Sequence, residues 1–246
     1  MPQVYRKPPL VEAVYEVFVH DAPGWSQLSA QRLEKRLRPS YAGQREELES
    51  VNLSLHLGPT PGKPSATVAP DAPRVRLWAE DRSALVQFGS QMAAMNVLSG
   101  YSGYEEQALR VEPFFGAYLE ASQPTALAWV GQRYVNKIVL PAGAAEASTY
   151  FLLYPRLPAS TPHRPFSLQV VSDEFEGGVV VMSLTFQGQS AERPVYFLDI
   201  YARSTKEVAP HTESIMRWQS AAHEAVRRSF AMALTDECRR LFEEAQ

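Results

Sequence analysis

The sequence is short of the features that announce a chemistry. It holds one cysteine, Cys238, so no internal disulfide can form and nothing in it asks for an oxidising compartment. No uninterrupted apolar run approaches the ~18–20 residues that a membrane helix requires. The opening MPQVYRKPPL lacks an apolar signal core, and the cytoplasm is the expected location. Charge of one sign is also scarce. With 24 Lys and Arg against 27 Asp and Glu the net charge is -3, which gives no bulk attraction to nucleic acid or anionic lipid. Arg outnumbers Lys and Ala is abundant, a pattern read here as codon bias before phosphate binding. The phosphate-cradling GxGxxG and GxxxxGK[ST] loops and the GxSxG elbow are missing. That argues against P-loop hydrolysis, Rossmann hydride transfer and α/β-hydrolase chemistry. The five histidines, His20, His56, His163, His211 and His223, form no HExxH-like pair, so no metal and no cofactor is expected. His223-Glu224 has no second histidine four residues on, and no histidine adjoins Cys238 in sequence.

What is present is an apolar fraction of 45% over 246 residues, enough for one large core or two half-sized ones. Residues 10–20 alternate with period two. Val11, Ala13, Tyr15, Val17 and Val19 share one face; Glu12, Val14, Glu16, Phe18 and His20 share the other. Ser26 caps a helix predicted over about 27–38, which Pro39 ends. A strand is expected over 51–57, then a Pro- and Gly-rich loop over 58–73, GPTPGKPSATVAPDAP. A hairpin should turn near 80–83. A helix is predicted over about 102–121, kinked or broken at Pro113. The second half opens with the strand AWVGQRYVNKIVLP, followed by a short helix or turn over 144–154. Three strands follow, FSLQVVSDEF, GVVVMSLTFQ and PVYFLDIYARS. An amphipathic helix over about 211–233 comes next, and Thr235 caps a last short one.

The expected fold is therefore α+β, with two pseudo-repeated β-α-β-β-β-α halves, 1–122 and 123–246, packed as one unit. Each half contributes antiparallel sheet backed by helices. The nearest analogies are a saddle like that of the TATA-binding protein and a helix-grip arrangement; fold analogy carries no function.

The acidic face raises the question of a site. Glu12 and Glu16 are four residues apart on a strand, roughly 13 Å at ~3.3 Å per residue. A glycosidase carboxylate pair needs ~5–9.5 Å, so the two form no dyad by themselves. Setting Tyr15 against Tyr134 aligns the halves and matches this acidic face to Arg133 and Lys137. Pairing of Glu12 and Glu16 with Arg133 and Lys137 is expected, as a structural seam ahead of a groove floor. On the other side of that strand Gln132, Tyr134 and Asn136 need hydrogen-bond partners. The aromatics Tyr101, Tyr104, Phe114, Phe115 and Tyr118 read as core ahead of a partner-binding edge. Arg74, Arg76 and Trp78 are the nearest approach to a nucleic-acid pattern, and a weak one.

Four stretches together carry a resemblance: KPPLVEAVYEV, GQRYVNKIVLP, FLDIYA and HEAVRRSFAMALTDECRRLF. They resemble a family of sporadically distributed bacterial proteins of about this length. Its members open on a Pro-Pro-hydrophobic-Glu-Ala strand, carry a central Arg-Tyr-x-Asn strand and end in a helix followed by Thr and an acid. The resemblance implies a cytoplasmic bacterial protein of patchy distribution, suited to accessory roles such as defence or mobile-element cargo. The resemblance brings with it no established enzymatic activity.

The leading expectation is a non-enzymatic protein-binding or assembly component, with a protein partner and a homo-oligomer left open. Arg133, Tyr134, Asn136, Lys137 and Tyr201 are its candidate binding residues. The alternative is an enzyme, or enzyme subunit, with a site on the sheet face between the halves. Glu12, Glu16 and Asp199 are then the candidate catalytic groups. A third reading is a small-ligand pocket under the C-terminal helix. Neither membrane nor nucleic acid is an expected partner.

Overall fold

The computed structural model describes residues 5, 7–48, 51–56, 65–70, 73–144, 146–154, 166–190 and 192–243. The fold is α+β. Eleven strands are described: β1 (Leu10–Val19), β2 (Arg45–Leu48), β3 (Val51–His56), β4 (Ser65–Pro70), β5 (Arg74–Trp78), β6 (Ala84–Phe88), β7 (Met92–Val97), β8 (Leu127–Val139), β9 (Phe166–Phe175), β10 (Gly178–Ser190) and β11 (Arg193–Ser204). The helices are α1 (Gln27–Leu37), α2 (Tyr104–Ser122), α3 (Thr212–Ala233) and α4 (Asp236–Glu243), with a 3-10 turn at Ala147–Thr149.

Nine strands form one sheet in the order β2-β5-β6-β7-β1-β8-β11-β10-β9, antiparallel at every junction. The expected half-sheets are thus a single sheet, joined where β1 pairs with β8. Among the described residues strands β3 and β4 pair only with each other. The loop expected over 58–73 is corrected in part, because 65–70 is strand β4; residues 58–64 and 71–72 lie outside the described residues.

The helices lie on one side. Alternation puts Ala13, Tyr15, Val17 and Val19 of β1, with Val130, Tyr134 and Ile138 of β8, under them. Helix α3 crosses β8 to β11, burying Ile215, Trp218, Ala222, Ala225, Val226 and Ser229. Its small residues let it lie close to the sheet. Helix α2 turns Val111, Phe114, Phe115 and Tyr118 inward, so the aromatic run is core. It is one helix, not two, and Pro113 and Leu109 both lie on its exposed side. Ser26 caps α1 in a reciprocal pair with Ser29. Thr235 Oγ1 accepts from the Cys238 N–H at 3.3 Å at the start of α4.

Candidate functional site on the open face of the sheet

Among the described residues none of the four helices packs on the other side of the sheet, where charged and polar side chains stand beside a small buried apolar cluster of Val14, Met92 and Ala94 with Phe18 against it. Strand register builds the arrangement. Val14, Arg133 and Tyr201 form one row across β1, β8 and β11; Glu16, Gly131 and Arg203 form the next; Glu12, Val135 and Asp199 a third. The three candidate catalytic acids, Glu12, Glu16 and Asp199, therefore share one patch with the candidate binding residues Arg133 and Tyr201. The candidate binding residues Tyr134 and Asn136 face the helices instead. Asn136 is buried and donates to the Leu198 carbonyl at 3.1 Å.

The expected pairing is corrected here. Arg133 forms a bidentate pair with Asp199, Nε to Oδ1 at 2.9 Å and Nη2 to Oδ2 at 2.5 Å. Glu16 instead accepts from the Tyr201 hydroxyl at 2.7 Å, and Glu12 accepts from Asn96 Nδ2 at 2.8 Å. The cause is the adjacency of β8 and β11: it sets Tyr201 opposite Arg133 and brings Asp199 within its reach. Lys137 lies on the open face opposite Phe197, exposed and outside the cluster.

Gly131 makes room for the centre. A Cβ there would lie 2.6 Å from Glu16 Oε1 and 2.8 Å from the Tyr201 hydroxyl oxygen. An isolated glycine inside a strand is the signature of such close approach. From Glu12 a polar chain continues outward. Asn96 accepts from Gln87 Nε2 at 3.1 Å, Gln87 accepts from Arg76 Nη2 at 3.3 Å, and Arg76 pairs with Glu46 at 3.0 Å. The Trp78 indole also donates to Glu46, at 3.1 Å. At the other end Phe18 stacks on Trp129 with centroids 4.1 Å apart, and the Arg203 guanidinium lies 4.6 Å from the Trp129 centroid.

Burial pushes the Glu16 carboxyl above its ordinary range, against the opposing pull of the Tyr201 bond and of the Arg133 and Arg203 charges. The folded state then holds that proton to higher pH than the unfolded chain. The associated stability is complete below the unfolded value of 4.5 and is lost as pH rises through the folded one. Glu16→Gln keeps an acceptor for Tyr201 and removes the charge. The variant should therefore gain stability relative to the natural protein as pH rises from 4.5 to 8, read as the difference in Tm. A difference that stays constant, or that moves against the variant at pH 8, contradicts the assignment.

Under the helices a second polar group is sealed in the core. The Tyr134 hydroxyl lies 3.3 Å from that of Tyr15, 3.0 Å from that of Tyr101 and 3.1 Å from His223 Nδ1, and it accepts from Gln132 Nε2 at 2.7 Å. Desolvation raises the Tyr15 and Tyr134 hydroxyls and lowers His223. Gln132 Oε1 and both amide atoms of Gln219 are buried without a hydrogen-bond partner.

No family model, curated protein or solved structure matches this chain. The functional reading rests on the geometry. Among the described residues no three His, Cys, Asp or Glu side chains are grouped to hold a metal ion, and no helix is long and apolar enough to cross a membrane. The sequence reading passed over Asn96, Gln87, Glu46, Phe18, Trp129 and Arg203. Only the mid-strand Gly131 and the buried Asn96 in an apolar strand carried a local signal.

Proposed function

We propose that the protein is a non-enzymatic docking component that holds a protein partner on the open face of its sheet. One observation carries this reading: each central charged group already has a hydrogen-bonding partner in the plane of the face, a charged one for Arg133 and Asp199 and a neutral one for Glu12 and Glu16. Arg133 is engaged by Asp199, Glu12 by Asn96 and Glu16 by Tyr201. Such a floor presents satisfied polar groups, not a convergent pair of reactive ones. Around it stand aromatic and arginine side chains, Phe18, Trp129 and Arg203 at one end and Trp78 with Arg76 and Arg82 at the other. Aromatics and arginine are the residue types that anchor protein interfaces.

The pseudo-repeat of residues 1–122 and 123–246 belongs to this proposal. The mirrored strand orders β5-β6-β7-β1 and β9-β10-β11-β8 on either side of the β1–β8 junction support it. The two halves then form a saddle-like support for one broad face. The partner acts with it in an accessory bacterial system, of the defence-related kind that the family resemblance implies. The test is capture of the tagged protein from its host, with the open face intact and with Arg133 reversed in charge.

An enzyme reading is favoured by one observation: the raised Glu16 carboxyl in contact with Tyr201 and beside Arg133 has the marks of an acid-base site. Recovery of a clean monomer with a bound small molecule would favour it over docking.

A further inference from the structure

Where the central strands β1, β8 and β11 meet the loops at one end of the sheet lies a pocket of about 670 Å3. Its origin is local. The β1–β8 register slips between Phe18, which faces Trp129, and Val19, which faces Leu127, so Ala128 is an extra residue on β8. A bulge bends its strand and re-aims the neighbouring side chains. Ala128 lines the pocket, together with His20, Arg203, Thr205, Lys206 and Glu207.

The balance of charge inside is positive. Arg203 and Lys206 against Glu207 leave one net positive charge before any proton on His20, in a chain whose net charge is -3. Among the described residues Arg203, Lys206 and His20 make no ion pair. Every other arginine on the open face that was followed above has a carboxylate or an amide oxygen in its fork. Arg203 instead rests on the Trp129 ring, which is itself stacked on Phe18. The stack fixes the guanidinium without using its N–H donors, so little of its freedom is left to lose on binding. The Arg203 charge favours ionisation of the Glu16 carboxyl on the neighbouring part of the sheet.

We propose that this pocket binds a phosphate monoester, with its oxygens taken by the Arg203 guanidinium and the Lys206 ammonium and the Thr205 hydroxyl at hand. A planar fork and a point charge set at one cavity suit a tetrahedral dianion. The volume leaves room for an organic group beyond the phosphate. The site shares Arg203 with one end of the docking face, whereas Lys206 belongs to the pocket alone, so its variant separates the two roles.

The test is isothermal titration of the full-length protein with inorganic phosphate and with adenosine 5′-monophosphate, at constant ionic strength. Saturable binding is expected for both probes, tighter for the monoester by several-fold. Arg203→Gln and Lys206→Gln should each weaken it by at least about fivefold, the order of one charge-assisted hydrogen bond at an accessible site. Lys137→Gln, exposed on the same face but outside the pocket, should change it less than about twofold, the scale of an unpaired surface charge. Lys206 takes no part in the Trp129 stack, so its variant stays informative if Arg203→Gln perturbs the sheet. Equal affinity for the two probes would overturn the monoester and leave free phosphate as the ligand. Absence of saturable binding, insensitivity to both substitutions, or equal weakening by Lys137→Gln would overturn the site itself.

Discussion

Tyr134→Phe should lower the unfolding free energy by about 2–4 kcal/mol, the cost of leaving more than one buried polar group without its partner. For a chain of this size that is a fall in Tm of roughly 5–15 °C. The side chain keeps its ring and its packing; only one oxygen is lost. That oxygen joins Gln132 of its own strand, Tyr15 of β1, Tyr101 of the loop before α2 and His223 of α3. A hydroxyl has one proton and two lone pairs, so it is fully used and serves at most three of these four partners at once. Gln132 suffers most. Its Oε1 is already unpartnered at 0% exposure, and the substitution leaves its amide nitrogen unpartnered too. Tyr101→Phe is the control, since Tyr101 is only half-buried and sits at the edge of the group. It should cost about 1 kcal/mol, the net worth of an ordinary hydrogen bond. Urea denaturation of the two variants decides the matter. Equal costs would mean that Tyr134 is not the hub of the network.

Arg133→Glu should leave the fold intact and abolish partner capture. The Arg133–Asp199 pair is exposed enough to be worth only ~0–1 kcal/mol to stability, so the variant should unfold within a few degrees of the natural protein. The effect on binding is of another size. Reversal removes the base among Glu12, Glu16 and Asp199 and puts a fourth acid in its place. A residue at the centre of an interface costs about 2–4 kcal/mol when lost, which is about 30- to 1000-fold in affinity. Capture from the host at matched expression should therefore yield the partner with the natural protein and none with the variant. A folded variant that still brings down the partner in full would place the interface elsewhere.

Local elements were legible because their signals are local. Period-two alternation marked β1, β8 and β11; a capping serine marked α1; the spacing of Ile215, Trp218, Ala222 and Val226 marked α3. The two faces of β8 were also read correctly, with Gln132 and Tyr134 inward and Arg133 outward. What sequence does not carry is which strands become neighbours. Pairing Arg133 with Glu12 and Glu16 assumed that those strands alone decide the contact. The β8–β11 junction, joining residues some 60 positions apart, brought Asp199 to Arg133 and Tyr201 to Glu16. The polar chain through Asn96, Gln87, Arg76 and Glu46 was hidden for the same reason, because it runs across five strands and along none. At Pro113 the expectation was a kink or a break, and the helix is not broken. Pro113 lies on its exposed side, which periodicity around that position did not reveal.

The central claim is that the partner lies on the open face, and photo-cross-linking from single positions tests it most directly. A benzophenone side chain would replace Lys137 or Val171 on the open face, and Leu109 of α2 or Met232 of α3 on the helix side. All four positions are exposed, Leu109 to 74% and Val171 to 63%, so accessibility does not favour one side. Irradiation in the host should link one and the same protein to positions 137 and 171 and leave 109 and 232 unlinked. Cross-links confined to positions 109 and 232 would contradict the account and move the interface to the helices.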